Sequence, residues 1–274
     1  MIDWTRGYEC QWRFSPVDVR TWASMGATSN AVSATYSADI TTDAVETGTL
    51  SCSMPYTVEA PSGWMRIEGL ITQGDEAESI TVGTLYFEPE SASWQGGRRT
   101  DSLRGTSGIF PSSEADPVKD GAWAAKGENG AAHVASLIGE HTSAPIVIGE
   151  GCKVPETVVF DLDSTPLKAA KAILDATGWV MRPDGEGRIH VMQAPTEPVA
   201  GFGGRERGMF LSQSSMDSNK RITYTRAWGP GLRVWDLFQA NLPEIGLRGT
   251  YRIVSQRVTC SSRITVEETV EEVL

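Results

Sequence analysis

The feature that most constrains this chain is period-two alternation of apolar and polar residues. Tyr8, Cys10, Trp12 and Phe14 alternate with polar residues, and Val17 and Val19 continue after Pro16. Leu50, Cys52 and Met54 alternate in the same way, as do Met65, Ile67, Gly69 and Ile71. Ile80 and Val82 lead to Leu85-Tyr86-Phe87. A strand sends successive side chains to opposite faces, so each run predicts a strand with one buried face. Turn signals separate the runs at Ser15-Pro16, Asp43 to Gly48, Pro61-Ser62-Gly63 and Gln73-Gly74-Asp75. Strands at this spacing predict a barrel or sandwich over residues 1–105. Trp4, Trp12, Trp22, Trp64 and Trp94 fall in the same region and are read as core or strand-face packing; an aromatic-lined sugar site is the alternative.

A different pattern begins near residue 106. Residues 96–130 are rich in Gly, Ser, Pro and Asp and predict long loops with a short helix near Trp123. Ala131–Glu140 places Ala131, Val134, Leu137 and Ile138 on one helical face, and Ile146-Val147-Ile148 reads as a short strand. Val158–Leu162 reads as another strand. Thr165 is then a good N-cap, with Pro166 at the first helical position, where its missing N–H costs nothing. Leu167, Ala170, Ile173, Leu174 and Thr177 give the helix its apolar face, and Gly178 stands where helices stop in a left-handed turn. Trp179–Arg182 and Arg188–Met192 flank Pro183-Asp184-Gly185-Glu186-Gly187, which predicts a hairpin. This helix on a hairpin is a compact α+β unit inserted between β-rich parts.

Residues 193–208 read as a Pro- and Gly-rich linker, followed by a last β region. Ile222, Tyr224 and Arg226 alternate outside Thr223 and Thr225. Leu232–Asp236 leads into Leu237-Phe238, Asn241–Thr250 reads as a loop with a turn, and Tyr251 to Val266 supplies two or three closing strands. The acidic end, 267–274, reads as the last strand.

The whole chain limits function as well. It has 274 residues, room for two or three domains, and a formal net charge of −11, which argues against a surface built to hold nucleic acid. Arg98, Arg99 and Arg104 form a small basic cluster, read as solvated surface. No run of 18 apolar residues exists, and the N-terminus lacks a signal-peptide pattern, so the expectation is a protein made in a cytosol. Cys10, Cys52, Cys152 and Cys260 are scattered and read as buried, reduced thiols. His133, His141 and His190 have no suggestive neighbours, and no nucleophile, zinc or phosphate-loop motif occurs. No catalytic, cofactor-binding or metal-binding residue is assigned.

One motif invites a second reading. Val158-Val159-Phe160-Asp161-Leu162-Asp163-Ser164-Thr165 looks like the first motif of the haloacid-dehalogenase phosphatases, in which the first Asp is the nucleophile, the second the general acid–base, and Mg²⁺ neutralises the site. The simpler reading is a strand followed by an acidic helix start. That family also needs further strand–helix repeats and a later acidic pair, whereas the sequence after Met192 is of β type.

The order of β region, α+β insert and β region resembles the tail hub or baseplate hub proteins of tailed bacteriophages. Three stretches carry the resemblance: Trp12-Arg13-Phe14 to Ser53, Ser164-Thr165-Pro166-Leu167 to Val191, and Leu232–Asp236 through Leu247-Arg248-Gly249-Thr250-Tyr251-Arg252-Ile253-Val254-Ser255. The resemblance implies a mainly β fold in which two tail-tube-like β-barrels, 1–105 and 196–274, flank a small helix–hairpin domain at 106–195. It implies a homotrimeric structural protein of the virion, assembled in the bacterial host cytoplasm. Its six barrels would match a hexameric tail tube above, and its threefold axis would meet a tail-tip fibre or spike below. DNA would pass through a negatively charged lumen, and no enzyme activity or cofactor is implied. With the last strand ending near Leu274, any lytic function is expected in a separate protein. A carbohydrate-binding tail-tip module is the alternative, with exposed tryptophans as its requirement.

Overall fold

The computed structural model describes residues 2–26, 29–40, 46–54, 62–95, 98–119, 122–203, 206–217, 220–229 and 231–273. The turn expected at Asp43, and Pro61 and Gly96-Gly97, lie outside these residues. In the first β region the alternating runs form β1 (Glu9–Pro16), β2 (Ser29–Asp39), β3 (Glu46–Met54), β4 (Gly63–Gln73), β5 (Glu76–Gln95) and β6 (Arg98–Thr106). They pair in the order β1-β4-β5-β6-β3-β2, and β2 returns to β1 through Arg13 opposite Asn30 and Phe14 opposite Ser29. The six strands therefore close into a barrel. Its inward residues are those the alternation marked: Phe14, Leu50, Cys52, Ile67, Ile71 and Phe87 are all fully buried. Gly83 has a packing role, since a Cβ there would sit 2.6 Å from the ring of Tyr36. Pro16 is the end of β1 rather than a turn, and Val19 is exposed.

The central unit contains α1 (Pro111–Glu114), β7 (Trp123–Ala124), α2 (Gly130–Gly139), β8 (Ile146–Ile148), β9 (Val158–Val159), α3 (Pro166–Thr177), β10 (Trp179–Pro183) and β11 (Ile189–Gln193). α3 has the predicted ends. Thr165 accepts the Lys168 N–H through its side chain, Pro166 opens the helix, and Gly178 closes it at φ 68°. The β10–β11 hairpin forms in the predicted place, and β8 adds to β11 in parallel. Two expectations are corrected. The short helix is α1, not a helix at Trp123, which lies exposed in the two-stranded β7–β9 ribbon. The strand predicted over Val158–Leu162 stops at Val159, because the Ser164 N–H bonds back to the Asp161 carbonyl at 3.0 Å and turns the chain.

The last region holds β12 (Ala200–Phe202), β13 (Phe210–Met216), β14 (Ile222–Ala227), β15 (Leu237–Leu242), β16 (Leu247–Cys260) and β17 (Ile264–Glu272). The expected linker thus carries a strand and a 3-10 turn at Glu206–Met209. The expected loop from Asn241 to Thr250 shrinks to the 3-10 turn Pro243–Ile245, closed by Gly246 at φ 77°. These strands follow the order β12-β15-β16-β17-β14-β13. The path's two ends meet through side chains, with Phe202 of β12 and Phe210 of β13 edge to face at 5.4 Å. Phe202 also meets Phe238 at 5.3 Å.

β16 joins the two β regions. Leu247–Arg252 pairs with β15, and Ser255–Cys260 pairs with β2. A register irregularity against β17 falls between Ile253 and Ser255, where the strand changes neighbour. The result is one twelve-stranded sheet and one continuous apolar core running from Ile2 to Val270. A second core, built on α2, α3, β10 and β11, fills the central unit and takes in Val17 and Trp64 of the first β region.

Arg226 and Glu268 lie inside the last β region, 1% and 0% exposed. The guanidinium reaches both carboxylate oxygens, at 2.9 and 2.7 Å, and Tyr224 and Gln256 donate to the same carboxylate, each at 2.8 Å. Arg226 and Tyr224 come from β14, Glu268 from β17 and Gln256 from β16, so the network fixes the register of three strands. Removing one member leaves the other charge buried alone, which costs about 3–5 kcal/mol. Arg226→Met should therefore lower stability by that order, read as a shift of the urea unfolding midpoint with the slope unchanged.

Candidate functional site

The residues singled out in the sequence do not converge. Asp161 and Asp163 are exposed on the turn after β9, whose only partner among the described strands is the antiparallel β7. They do not sit at the end of a parallel strand, so the geometry of a phosphatase site is not formed. His133 lies 3.5 Å from Glu128, and His190 bonds Asp184 at 3.0 Å. Among the described residues no group of three or more His, Cys, Asp or Glu side chains could hold a metal ion. Of the tryptophans, Trp12 and Trp64 are buried. Trp94 is 60% exposed on a face of β5, with the Arg99 guanidinium 5.8 Å from its ring, the strand-face half of the expectation rather than the core half. Three of the cysteines are buried and Cys10 is half-buried; all are free thiols.

What the fold does bring together is a junction of its three regions at the turn between β10 and β11. Asp184 organises the turn from within. It accepts the backbone N–H groups of Glu186 and Arg188 at 2.9 and 3.0 Å, the Arg188 side chain at 2.8 Å, and His190. Partial burial pulls the Asp184 carboxyl up, but the hydrogen bonds from His190 and Arg188 outweigh it and hold the group below its usual range.

So ordered, the turn docks on the barrel. Thr84 of β5 donates to the Gly185 carbonyl at 3.0 Å, and the Trp22 indole donates to the Glu186 carbonyl at 2.7 Å. Gly187, at φ 81°, lets the backbone approach, since a Cβ there would lie 2.8 Å from Thr84. From the other side, Arg182 donates to Asp236 at 2.6 Å and to the Val234 carbonyl at 2.9 Å. Asp236 accepts the Arg233 N–H at 2.8 Å. The Arg233 side chain crosses into the first barrel, donating to the Val82 carbonyl at 2.9 Å and to the Tyr36 hydroxyl at 3.2 Å. Tyr36 donates in turn to Glu46. Trp22 and Trp235, at φ 57° and 74°, are two non-glycine residues held in the left-handed region, and both flank this junction.

The junction is a network of charged and polar groups whose contacts run between the three regions. It is a clamp, built on the predicted hairpin turn and on the Leu232–Asp236 run, whose mutual contacts no sequence motif marks. Arg233 and Asp236 belong to a strand-like run. The one available signal is charge inside an apolar stretch, Leu232-Arg233-Val234-Trp235-Asp236. A shallow cleft of about 260 Å³ lies beside it, lined by Ile40, Leu174, Trp179, Met181 and Trp235 among others.

No protein-family model matches the sequence, and no curated protein matches it significantly. Solved structures do. A tail protein from Neisseria meningitidis superposes with a TM-score of 0.68 at 13% identity, over 97% of each chain. The chain has the fold of bacteriophage tail proteins. A 43 kDa tail protein of prophage MuSo2 from Shewanella oneidensis gives 0.65 at 10% identity, over 97% of this chain and 98% of that one. An Escherichia coli component of the type VI secretion system, described as similar to the T4 tail proteins gp27 and gp5, gives 0.60 at 10% identity, over 91% and 76%. The mainly β architecture with a small helical part is thus shared with these tail proteins and with the secretion-system component.

Glu46 is the titratable group of the clamp. Burial pushes its carboxyl up to about 7 against the nearby Arg233, Tyr36 and Arg182 groups, which favour its charged form; Asp184 adds to the rise. Its second carboxylate oxygen is buried without a hydrogen-bond partner. In the unfolded chain the group titrates near 4.5, so the native state binds its proton more tightly. The contribution to stability is complete below pH about 4.5, falls as pH rises, and levels off above pH about 7, a span of about 3 kcal/mol. Glu46→Gln should remove this slope, seen as urea midpoints that no longer fall between pH 5 and 7. An unchanged slope would place the titration elsewhere.

Proposed function

We propose that this chain is a non-enzymatic structural component of a phage virion, a homotrimeric tail hub at the tail tip or baseplate. In this reading residues 1–105 and 196–274 are two barrel domains and 106–195 is the domain inserted between them. Three protomers present six barrel units to a hexameric tail tube, while the threefold axis faces fibre or spike proteins. DNA passes through the central channel, and the protein assembles in the host cytoplasm.

The observation that carries the reading is the pairing of two six-strand sets within one protomer. The first closes through β1 and β2; the second follows β12-β15-β16-β17-β14-β13. Two quasi-equivalent units per chain let threefold and sixfold symmetry meet in one ring. The superposition with tail proteins over 97% of the chain supports this, as does the likeness to a secretion-system component compared with gp27 and gp5. The clamp at the β10–β11 turn supports it further, because it ties the inserted unit to both β regions and makes the protomer one rigid block.

Light scattering on the purified chain should give three times the protomer mass of 29.6 kDa, and negative-stain images of the same peak should show a ring with a central hole and a near-sixfold outline. A monomer at all concentrations, with no ring, would remove the trimeric reading.

A further inference from the structure

The sheet that joins the two β regions has one outward face running unbroken from β6 through β3, β2, β16 and β17 to β14. Residues opposite one another in register point to the same face. On this face Ser and Thr predominate, interspersed with Arg104, Asp39, Arg257, Glu267, Arg252 and Glu271. One row across neighbouring strands reads Ser33, Ser51, Ser102, Ser91. The next reads Thr265, Thr259, Thr35, Thr49 and crosses the β16–β2 junction. Hydroxyls bond to each other along the face, Thr35 to Thr49 at 2.7 Å and Thr223 to Thr269 at 2.9 Å.

Charge on this face is balanced. Glu267 stands opposite Arg257 and Glu88 opposite Arg104, Glu271 lies 3.6 Å from Arg221 and 3.4 Å from Arg252, and Asp39, opposite Ser255, is the fourth acidic group against these four arginines. One exposed aromatic ring, Tyr86 opposite Thr106, stands on this face and packs edge to face on Trp64, whereas Trp123, Val147, Ile148, Val159 and Leu162 lie on the central unit. The acidic excess also lies partly elsewhere, since residues 106–195 hold twelve acidic against seven basic residues.

We propose that this hydroxyl face is the wall of the conduit, a near-neutral surface past which a nucleic-acid polyanion moves without being held. The inference rests on the trimeric hub reading. A ring made of six strand sets needs a lumen surface common to both sets of each protomer, and the β2–β16 ladder is where the two sets become one sheet. The chemistry suits passage. Phosphates are retained where Lys and Arg displace counterions, and apolar patches adhere. Short hydroxyl side chains do neither, and opposed charges cancel within about 8 Å at physiological salt. The wall is therefore not the acidic lumen that the resemblance implies; passage depends on the absence of adhesion rather than on repulsion.

The test places a maleimide-gold label at Thr49→Cys and, separately, at Val159→Cys on the central unit, and images the rings. Native thiols give little background. Burial pushes Cys10 up to about 12 and Cys52 to about 11, Cys260 is raised as well, and Cys152 is 2% exposed. Gold inside the hole for Thr49→Cys, and outside it for Val159→Cys, is the expected result. Gold on the outer rim for Thr49→Cys, with the ring intact, overturns the wall and leaves the hub. Absence of any ring, in the native chain as well, overturns both. As a second readout, the native ring should not retain a duplex oligonucleotide at physiological salt, and the Thr49→Lys/Ser102→Lys ring should bind it at least tenfold more tightly, with affinity lost as salt rises. Tight retention by the native ring would also overturn the wall.

Discussion

The structure depends on how one strand divides its two edges. β16 runs for 14 residues and spends its first half against β15 and its second half against β2. The irregularity between Ile253 and Ser255 is where that division occurs. Val254 keeps the crossing tied, accepting the Ile40 N–H at 3.1 Å. Without the six register pairs from Ser255 to Cys260, the closed barrel and the second strand set would have no common sheet. With them, the two regions share one core and one outward face, and their relative position is set by hydrogen bonds that cannot slide by one residue without turning every inward side chain outward.

Buried polar groups reinforce that placement. Buried ion pairs add little net stability compared with apolar packing, because desolvation offsets attraction. Their effect here is geometric. The Arg226–Glu268 pair takes further bonds from Tyr224 and Gln256, and Gln256 also donates to the Leu232 carbonyl at 2.7 Å, so strand register and loop position are satisfied together or not at all. Arg233 does the same between regions. Its backbone N–H is held by Asp236, Asp236 is held by Arg182 of the hairpin, and its side chain ends on β2 and β5.

Much of this was legible where the determinants are local. Thr165, Pro166 and Gly178 mark both ends of α3 because a cap, a missing N–H and a left-handed turn each act within a few residues. The alternation through Trp12, Leu50 and Ile67 marked the inward face because one side of a strand must leave water. What could not be read is non-local. The closure of β1 on β2, the parallel addition of β8 to β11, and the distant partners of Arg226 and Arg233 depend on pairings 15 to 197 residues apart. β13 was hidden for another reason, since its sequence FLSQSSM is mostly polar and carries no alternation to notice. The Asp-x-Asp-x-Thr motif shows the opposite limit of local reading. Its residues are local and well formed, but a catalytic carboxylate also needs a neighbouring strand and a cation site, and neither is encoded in eight residues.

The serine and threonine rows show what the same alternation says when its outward half is read. Inward positions on β2 are Ala34, Tyr36 and Ala38, all buried, and outward positions are Ser33, Thr35 and Ser37. β-branched Thr suits a pleated surface, but Ser does not favour strands, and an ordinary solvated face would mix in Lys and Glu. A sheet that keeps short hydroxyls across several strands, while its chain carries a net charge of −11, has much of its acidic excess placed away from that face. Strand propensity accounts for the threonines but not for the serines, which Val or Thr would replace with a gain in propensity. A requirement on what the face touches can account for them. The pairs Glu267 with Arg257 and Glu88 with Arg104 act in the same direction, since acidic and basic groups set opposite one another weaken the field that a long polymer of one sign would feel.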